Sequence, residues 1–321
     1  MNAARFWVVL AGVVLVGANL GGATARADGL PVLGVDVGAT GVVTPSGQAR
    51  YVTIPAGTST VVARVSRYGG RILASTLLPG TFTIPAVAYD GSASGLSGDG
   101  RTLVLIEPRI NFPRAETTLA VMDTRQLSAR RIVTLHGDFS FDAVSPRGSS
   151  LYLIQYTSAL DPTKYSVRAY DLGAGRLLTA PVVDPRVRAE KMRGQPLTRT
   201  TSPDGRWAYT LYDGAGKEPF IHALDTSTRS ARCIDLDALA GTDLTRLRLK
   251  LDSSRDLLSV TRGSEPALNV DLRSFGVRVP STGGSGFPWI FAVLATLGAL
   301  VTAAVFPVAL RRRRATLAPT Q

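Results

Sequence analysis

The chain has 321 residues, 45% of them hydrophobic, with two histidines and one cysteine. This allows one large folded domain and excludes an intrinsically disordered chain, a disulfide-stapled miniprotein and a histidine–cysteine zinc module. The formal net charge is +12, but half of it sits on Arg5 and Arg26 near the start and Arg311, Arg312, Arg313 and Arg314 near the end, so the middle of the chain is only mildly basic and nucleic acid is not an expected partner.

Residues 1–27 read as a secretory signal peptide that starts on a helix. Arg5 supplies the positive start, 6–20 the apolar stretch, and Ala25-Arg26-Ala27 a small-residue cleavage site before Asp28. An uncleaved signal anchor is the alternative. Residues 28–279 form the main domain, and one turn recurs along it: Thr44-Pro45-Ser46-Gly47, Ser97-Gly98-Asp99-Gly100, Ser145-Pro146-Arg147-Gly148, Ser202-Pro203-Asp204-Gly205, and a worn copy at Asp252-Ser253-Ser254-Arg255. The steps are 53, 48, 57 and 50 residues. Serine or threonine first, proline second and glycine fourth suit a type I turn. Short runs rich in β-branched residues, leucine and tyrosine follow at 50–54, 102–106, 151–156, 207–212 and 257–261, and these read as strands.

A second landmark keeps the same period. Asp123-Thr124, Asp171-Leu172, Asp225-Thr226 and Asp271-Leu272 each close a further apolar run, 48, 54 and 46 residues apart. Another strand follows the aspartate, as at 131–135 or 176–183, and one precedes each turn, as at 139–144. Four strands per repeat of about 50 residues predict an all-β chain folded as a β-propeller of about five four-stranded blades. Residues 33–37 are a candidate to pair with the last blade.

The Ser-Pro-Asp-Gly turn followed by Arg206-Trp207-Ala208-Tyr209 resembles the blades of TolB-like, YVTN and WD40-like propellers, over roughly residues 41–279. Residues 141–225 are also similar to uncharacterised actinobacterial propeller proteins. The resemblance implies the fold and carries no functional residue with it.

After the domain come a Pro/Ser/Thr/Gly stalk at 280–286, an uncharged apolar run at 287–310 and a basic tail at 311–321. The run has 24 residues, which as a helix would span roughly 36 Å, enough for one membrane crossing. Trp289 suits an interface position and the four arginines a cytoplasmic stop. The expected topology is a single-pass cell-membrane protein with the propeller outside. Val279-Pro280-Ser281-Thr282-Gly283 either belongs to a flexible stalk or, with the apolar run and arginines after it, resembles a sortase sorting signal. That resemblance implies cleavage between Thr282 and Gly283 and attachment to the cell wall, although Val279 stands where the usual pattern has leucine.

Strand direction sorts the connections onto two faces. The recurring turns share one face; the long connections 107–116, 157–165, 184–197, 213–218 and 237–243 share the other, and that face, around the central channel, is the expected binding surface. Its candidate residues are Arg109, Arg114, Tyr156, Asp161, Tyr165, Arg186, Arg188, Lys191, Arg193, Asp213 and Lys217, balanced by Glu107, Glu116, Asp184, Glu190 and Glu218. The basic stretch Arg186, Arg188, Lys191 and Arg193 is read first as a solvated loop paired with Asp184 and Glu190. His222 and Cys233 fall in apolar strand patterns and are expected in the core; His136 adjoins Gly137 in a connection.

No converging catalytic group stands out, so the chain is read as a non-enzyme without a cofactor. Calcium is weakly suggested by Asp90-Gly91, Asp99-Gly100, Asp204-Gly205 and Asp235-Leu236-Asp237, none of which fits a calcium loop. The expected function is a binding or scaffold module for an envelope or extracellular protein or a cell-wall polymer. The alternative is a lactonase-like or other propeller hydrolase with a metal in the channel; a transmembrane sensor ranks last because the tail is short.

Overall fold

The computed structural model describes residues 41–68, 70–186 and 192–280. The signal peptide, residues 33–37, the stalk after Pro280, the apolar run, the tail, and Arg188, Glu190 and Lys191 lie outside them. Among the described residues no helix is long and apolar enough to cross a membrane.

The described chain is all-β, with one turn of 3-10 helix at Asp237–Leu239. Its strands form five antiparallel sheets in chain order. The first holds β1 (Val42–Val43), β2 (Ala49–Ala56), β3 (Ser59–Ser66) and β4 (Ile72–Pro79); the second holds β5 (Thr102–Ile106), β6 (Glu116–Asp123) and β7 (Ser128–His136). In the third are β8 (Phe139–Val144), β9 (Ser150–Tyr156), β10 (Tyr165–Asp171) and β11 (Arg176–Pro181). The fourth comprises β12 (Pro196–Thr201), β13 (Trp207–Tyr212), β14 (Phe220–Asp225) and β15 (Ser230–Asp235), and the fifth β16 (Leu247–Asp252), β17 (Leu257–Arg262), β18 (Glu265–Asp271) and β19 (Val277–Arg278).

Both landmarks of the repeat have a bonding reason. In each recurring turn the glycine amide donates to the first residue's carbonyl: Gly47 to Thr44, Gly100 to Ser97, Gly148 to Ser145 and Gly205 to Ser202, at 2.8–2.9 Å. These glycines have φ of +67° to +73°, the left-handed region that a side chain disfavours. The aspartates cap the outer hairpins. Asp123 Oδ1 accepts from the amides of Arg125 and Gln126, and Asp225 Oδ1 from those of Ser227 and Thr228.

Two sequence expectations need correction. The second sheet has three strands, not four. Its innermost place is held by Gly95, Leu96 and Ser97, joined to β5 by a single bridge, Leu96 to Leu103. Gly95 sits at φ +115°, and a Cβ there would lie 2.5 Å from the Val104 carbonyl, so the segment cannot run on as a regular strand. The strand expected over 176–183 is shorter, Arg176–Pro181, with one further bond to β10 from the Val182 amide to the Val167 carbonyl at 2.8 Å.

Neighbouring sheets pack face to face because alternate residues of one strand serve opposite sides. Leu103 and Leu105 of β5 join Tyr51, Val62 and Leu78 of the first sheet, while Val104 and Ile106 join Phe141, Leu151 and Leu153 of the third. Tyr152 and Ile154 of β9 meet Ala208, Tyr212 and Leu224 of the fourth sheet. Tyr209 and Leu211 of β13 meet Leu247, Leu258 and Val260 of the fifth. This is the packing of a propeller through four successive seams; among the described residues no hydrophobic cluster joins the fifth sheet to the first.

The recurring turns converge at the axis. The Asp99 amide donates to the Pro146 carbonyl, and Gly98 lies so close to the next-but-one turn that a Cβ on it would be 2.0 Å from the Asp204 carbonyl. At the opposite end the centre is filled. Residues 83–97 leave the first sheet as a hairpin, bridged at Ala86 and Ala93, whose tip crosses to the fourth sheet. There the amides of Tyr89 and Asp90 donate to the carbonyls of Pro196 and Leu197 at 2.8 and 3.1 Å. Asp90 also faces Arg248 of β16 at 3.6 Å. Ile84, Ala86, Val87 and Ala88 are buried. The space around the axis at this end, about which the binding surface is expected, is therefore crossed by the hairpin.

Candidate functional site

The loops of the second and third sheets carry a rigid ledge of arginines and aromatics. Its base is Asp138, buried in the connection between these sheets. Arg109 donates from Nε and Nη2 to Asp138 Oδ1 at 3.0 and 2.6 Å, and from Nη2 to Ser140 Oγ at 2.9 Å. The Arg114 amide donates to Asp138 Oδ2 at 3.1 Å, and its guanidinium donates to the carbonyls of Glu107 and Phe139. One carboxylate thus fixes both ends of loop 107–115. Burial, with the Arg109 charge alongside, lowers the Arg114 pKa to about 10.

Aromatic rings continue from there. The Arg109 guanidinium lies 4.7 Å from the centre of the Tyr156 ring and 5.8 Å from that of Phe112, within cation–π range. Phe112 meets Tyr156 edge-on at 5.4 Å. Tyr156 leads to Tyr165 at 6.2 Å, Tyr165 to Tyr212 at 6.3 Å, and Tyr212 stacks on Phe220 at 5.2 Å. Arg193 closes the line 5.8 Å over Phe220. The Tyr165 hydroxyl donates to the Gly194 carbonyl, tying the third sheet to the loop that enters the fourth. Burial pushes the phenols of Tyr165 and Tyr212 well above their ordinary range, and the nearby Asp142 carboxylate adds to this at both. Both stay neutral, as ring surface, with the Tyr165 hydroxyl a hydrogen-bond donor.

Of the eleven expected residues, five lie along this ledge: Arg109, Arg114, Tyr156, Tyr165 and Arg193. They are less available than the sequence suggests. Arg109 and Tyr165 are buried, because their polar ends already have internal partners. Asp213 is a loop brace, accepting from the amides of Gln195 and Ala215. Asp161 Oδ1 closes its own turn onto Thr163, and Lys164 faces it at 3.3 Å. Lys217 is exposed in the adjoining loop. Arg186 pairs with Asp184 and also donates to the Cys233 carbonyl at 3.0 Å, as expected of a structural ion pair.

The sequence reading missed what stands outermost. Ile110 is 87% exposed, Phe112 36% and Leu160 95%, all on the two loops that frame Tyr156. Their signal was an apolar residue set among charge, proline and asparagine in a predicted loop. Charge alone, as a mark of binding residues, does not find it.

The groups that could do chemistry are dispersed. His222 is buried in β14 beside the Tyr212 ring, while His136 is exposed at the end of β7 and faces Glu116 at 3.0 Å. Cys233, expected in the core, is only partly buried against the seam of the third and fourth sheets. Asp90, Asp99 and Asp204 each spend Oδ1 on their own turns, bonding Ser92, Ser97 and Ser202. Among the described residues no group of three or more metal-ligating side chains converges. The axial position where a hydrolase metal was envisaged is crossed by the 83–97 hairpin.

No family model matches this chain, and no curated protein matches it. Solved structures do. The putative TolB from Agrobacterium tumefaciens is similar at 15% identity and a TM-score of 0.41, over 74% of this chain and 78% of that one. A functionally unknown protein from Desulfotomaculum acetoxidans is similar at 13% identity and a TM-score of 0.45, over 78% and 73%. The acylaminoacyl peptidase of Pyrococcus horikoshii is similar at 12% identity and a TM-score of 0.44, over 74% of this chain and only 37% of the peptidase. What these proteins have in common with this chain is fold.

Proposed function

We propose that this protein is a binding module of the cell envelope that grips a protein partner with the loop ledge of its second and third sheets. One observation carries the reading: Ile110, Phe112 and Leu160 are exposed on the two loops that frame Tyr156, beside a base in which Asp138 holds both Arg109 and Arg114. Exposed apolar anchors on a preorganised support, rimmed by Glu107, Arg114, Asp161 and Lys164, have the anatomy of a protein interface. Such anchors fit an apolar recess in a partner. Arg109, buried and held by Asp138 and Ser140, offers little to a free anion.

The setting follows from the termini. The signal at 1–27 exports the domain, 287–310 holds it in the membrane as one crossing, and 311–321 stays inside. The full five-bladed ring belongs to the same reading. Sorting at Thr282 and Gly283 is the competing anchorage. Cell-wall fragments joined at Thr282 would establish it, and recovery of the intact tail from membranes would refute it.

The test is site-specific photo-crosslinking on intact cells, with a photoreactive residue at Ile110, at Leu160 or, on the opposite face, at exposed Arg147. The expected result is one protein captured from both loop positions, not from position 147, and lost in Phe112→Ala. Equal capture from both faces, or capture indifferent to Phe112, would overturn the proposal.

A further inference from the structure

The repeat changes its chemistry twice at one seam. In the second and fourth sheets the third residue of the recurring turn is an aspartate that binds the serine opening the turn: Ser97 donates to Asp99 Oδ1 and Ser202 to Asp204 Oδ1. Each carboxylate also accepts from the amide two residues on, that of Arg101 or Arg206. In the third sheet this place belongs to Arg147, and Ser149 stands where the other two turns have arginine. The Ser145 hydroxyl therefore has no carboxylate in its own turn. It accepts from the amides of Ser149 and Ser150 at 3.0 and 2.9 Å and faces Ser149 Oγ at 3.2 Å. Arg147 is exposed, and among the described residues no carboxylate pairs with it.

The second departure lies across the seam, in the fourth sheet. Four residues after each hairpin aspartate the backbone is left-handed, with φ of +51° at Leu127, +65° at Gly175, +59° at Arg229 and +58° at Phe275. Glycine is the unstrained choice there. Where a side chain is accepted, it turns back onto the preceding sheet. Leu127 is buried with Tyr51 and Leu78 of the first sheet, and Phe275 packs on Trp207 of the fourth, ring centres 5.6 Å apart. Arg229 takes the same path with a polar end: its Nη2 donates to Asp171 Oδ2 at 3.0 Å and to Ser150 Oγ at 3.3 Å, both in the third sheet. Apolar side chains thus plug the first and fourth seams at this level. At the third, a cavity of about 260 Å³ lies between the Ser145 turn and the hairpin that carries Arg229.

We infer that this cavity binds a phosphate group. The third sheet contributes Arg147 and the fourth Arg229, and the lining holds no carboxylate, since Asp171 fixes Arg229 from outside it. The hydroxyls of Ser149 and Ser227 stand in the same lining, both on exposed residues. Guanidinium and hydroxyl donors match the oxygens of a phosphate, and arginine binds it bidentately. The cavity is smaller than the roughly 300–1,000 Å³ of pockets that take drug-sized ligands, so a phosphate with a short ester arm fits it. The site lies on the turn face, away from the loop ledge, and depends on none of the ledge residues.

The test titrates the full chain in detergent with inorganic phosphate, with glycerol 3-phosphate and with the diester glycerophosphoglycerol, by calorimetry at constant ionic strength. Saturable binding at one site per chain is expected. Arg147→Asp gives the turn the residue that its second and fourth copies already carry, so it should fold with an unchanged Tm and weaken binding by about tenfold or more. Lys250→Asp makes the same change of charge on the fifth sheet and should leave affinity within about twofold. Preference for the diester marks a phosphate within a polymer, and preference for the other two a free or terminal one; either supports the site. No saturable binding of any of the three, indifference to Arg147→Asp, or equal losses in Arg147→Asp and Lys250→Asp would overturn the inference.

Discussion

The seam between the third and fourth sheets and the two outer faces of the series are built from the same repeat, yet they hold different chemistry. At the seam, Tyr152, Ile154, Tyr212, Phe220 and Leu224 pack together, and the Tyr152 hydroxyl donates to the Thr226 carbonyl at 2.7 Å. Arg199 of β12 crosses to Asp142 of β8, both buried, and also donates from Nε to Thr210 Oγ1 at 2.8 Å. On the outer face of the first sheet the same strand positions carry exposed Ile54, Ile72 and Leu77 around buried Val52, Ala63 and Val65, and on that of the fifth they carry Lys250, Ser259, Asn269 and Arg278. The repeat therefore dictates strands and turns, while the side chains between strands decide which neighbours a sheet accepts.

The largest test of this contrast is at the buried ion pair. Arg199→Met strands the Asp142 carboxylate, one of whose oxygens already has no hydrogen-bond partner among the described residues, and should cost about 3–5 kcal/mol in denaturant unfolding. Adding Asp142→Leu should recover most of that loss, because the cost lies in the unpaired charge. Next comes packing. Leu211→Ala, in the seam of the fourth and fifth sheets, should cost about 2–5 kcal/mol, whereas Lys250→Ala on the outward side of the same fifth sheet should stay within about 0.5 kcal/mol. Similar losses at both positions would erase the distinction between seam and outer face.

Gly98→Val probes the axis. Its side chain must displace the Asp204 backbone, and a loss of about 1–3 kcal/mol is expected, read as a fall in Tm. A smaller effect belongs to pH. Burial alone would raise the Asp225 pKa, but the Arg206 guanidinium and the amides of Ser227 and Thr228 outweigh it and hold the carboxyl below its ordinary value. The folded pKa lies below the unfolded one, so the stabilisation is complete above the unfolded value near 4 and is lost as pH falls through the folded one. Urea midpoints should drop between about pH 5 and pH 3, and Asp225→Asn should flatten that drop by about 1 kcal/mol or less. The smallest stability effect is expected for Phe112→Ala, within about 0.5 kcal/mol, although the same change should weaken partner capture by tenfold or more.

What could be read from the sequence was what is local. Ser202-Pro203-Asp204-Gly205 and Asp225-Thr226 form their own hydrogen bonds within a few residues, so the blade period and strand positions were visible. The axial hairpin was not. Residues 85–88 look like any short apolar run, and Asp90-Gly91 looks like a surface turn; their fixing partners, Pro196 and Leu197, come more than 100 residues later. Arg109 showed the same problem at the ledge. Its charge was visible, but its burial depends on Asp138, 29 residues on in the connection to the next sheet. Ile110 and Leu160 pose the opposite problem, since exposure of an apolar side chain becomes apparent only when the space around it is known.

The axial hairpin also bears on the order of assembly. Ser92 bonds to the backbone of Arg199 across 107 positions of sequence. A chain made from its N-terminus has completed three sheets before the strand that seats this hairpin exists. Such distant pairing is slow to form and leaves apolar surface uncovered meanwhile. The hairpin is a keystone cut early and set late: the first half of the molecule reaches its final shape only when the second half arrives to hold its centre.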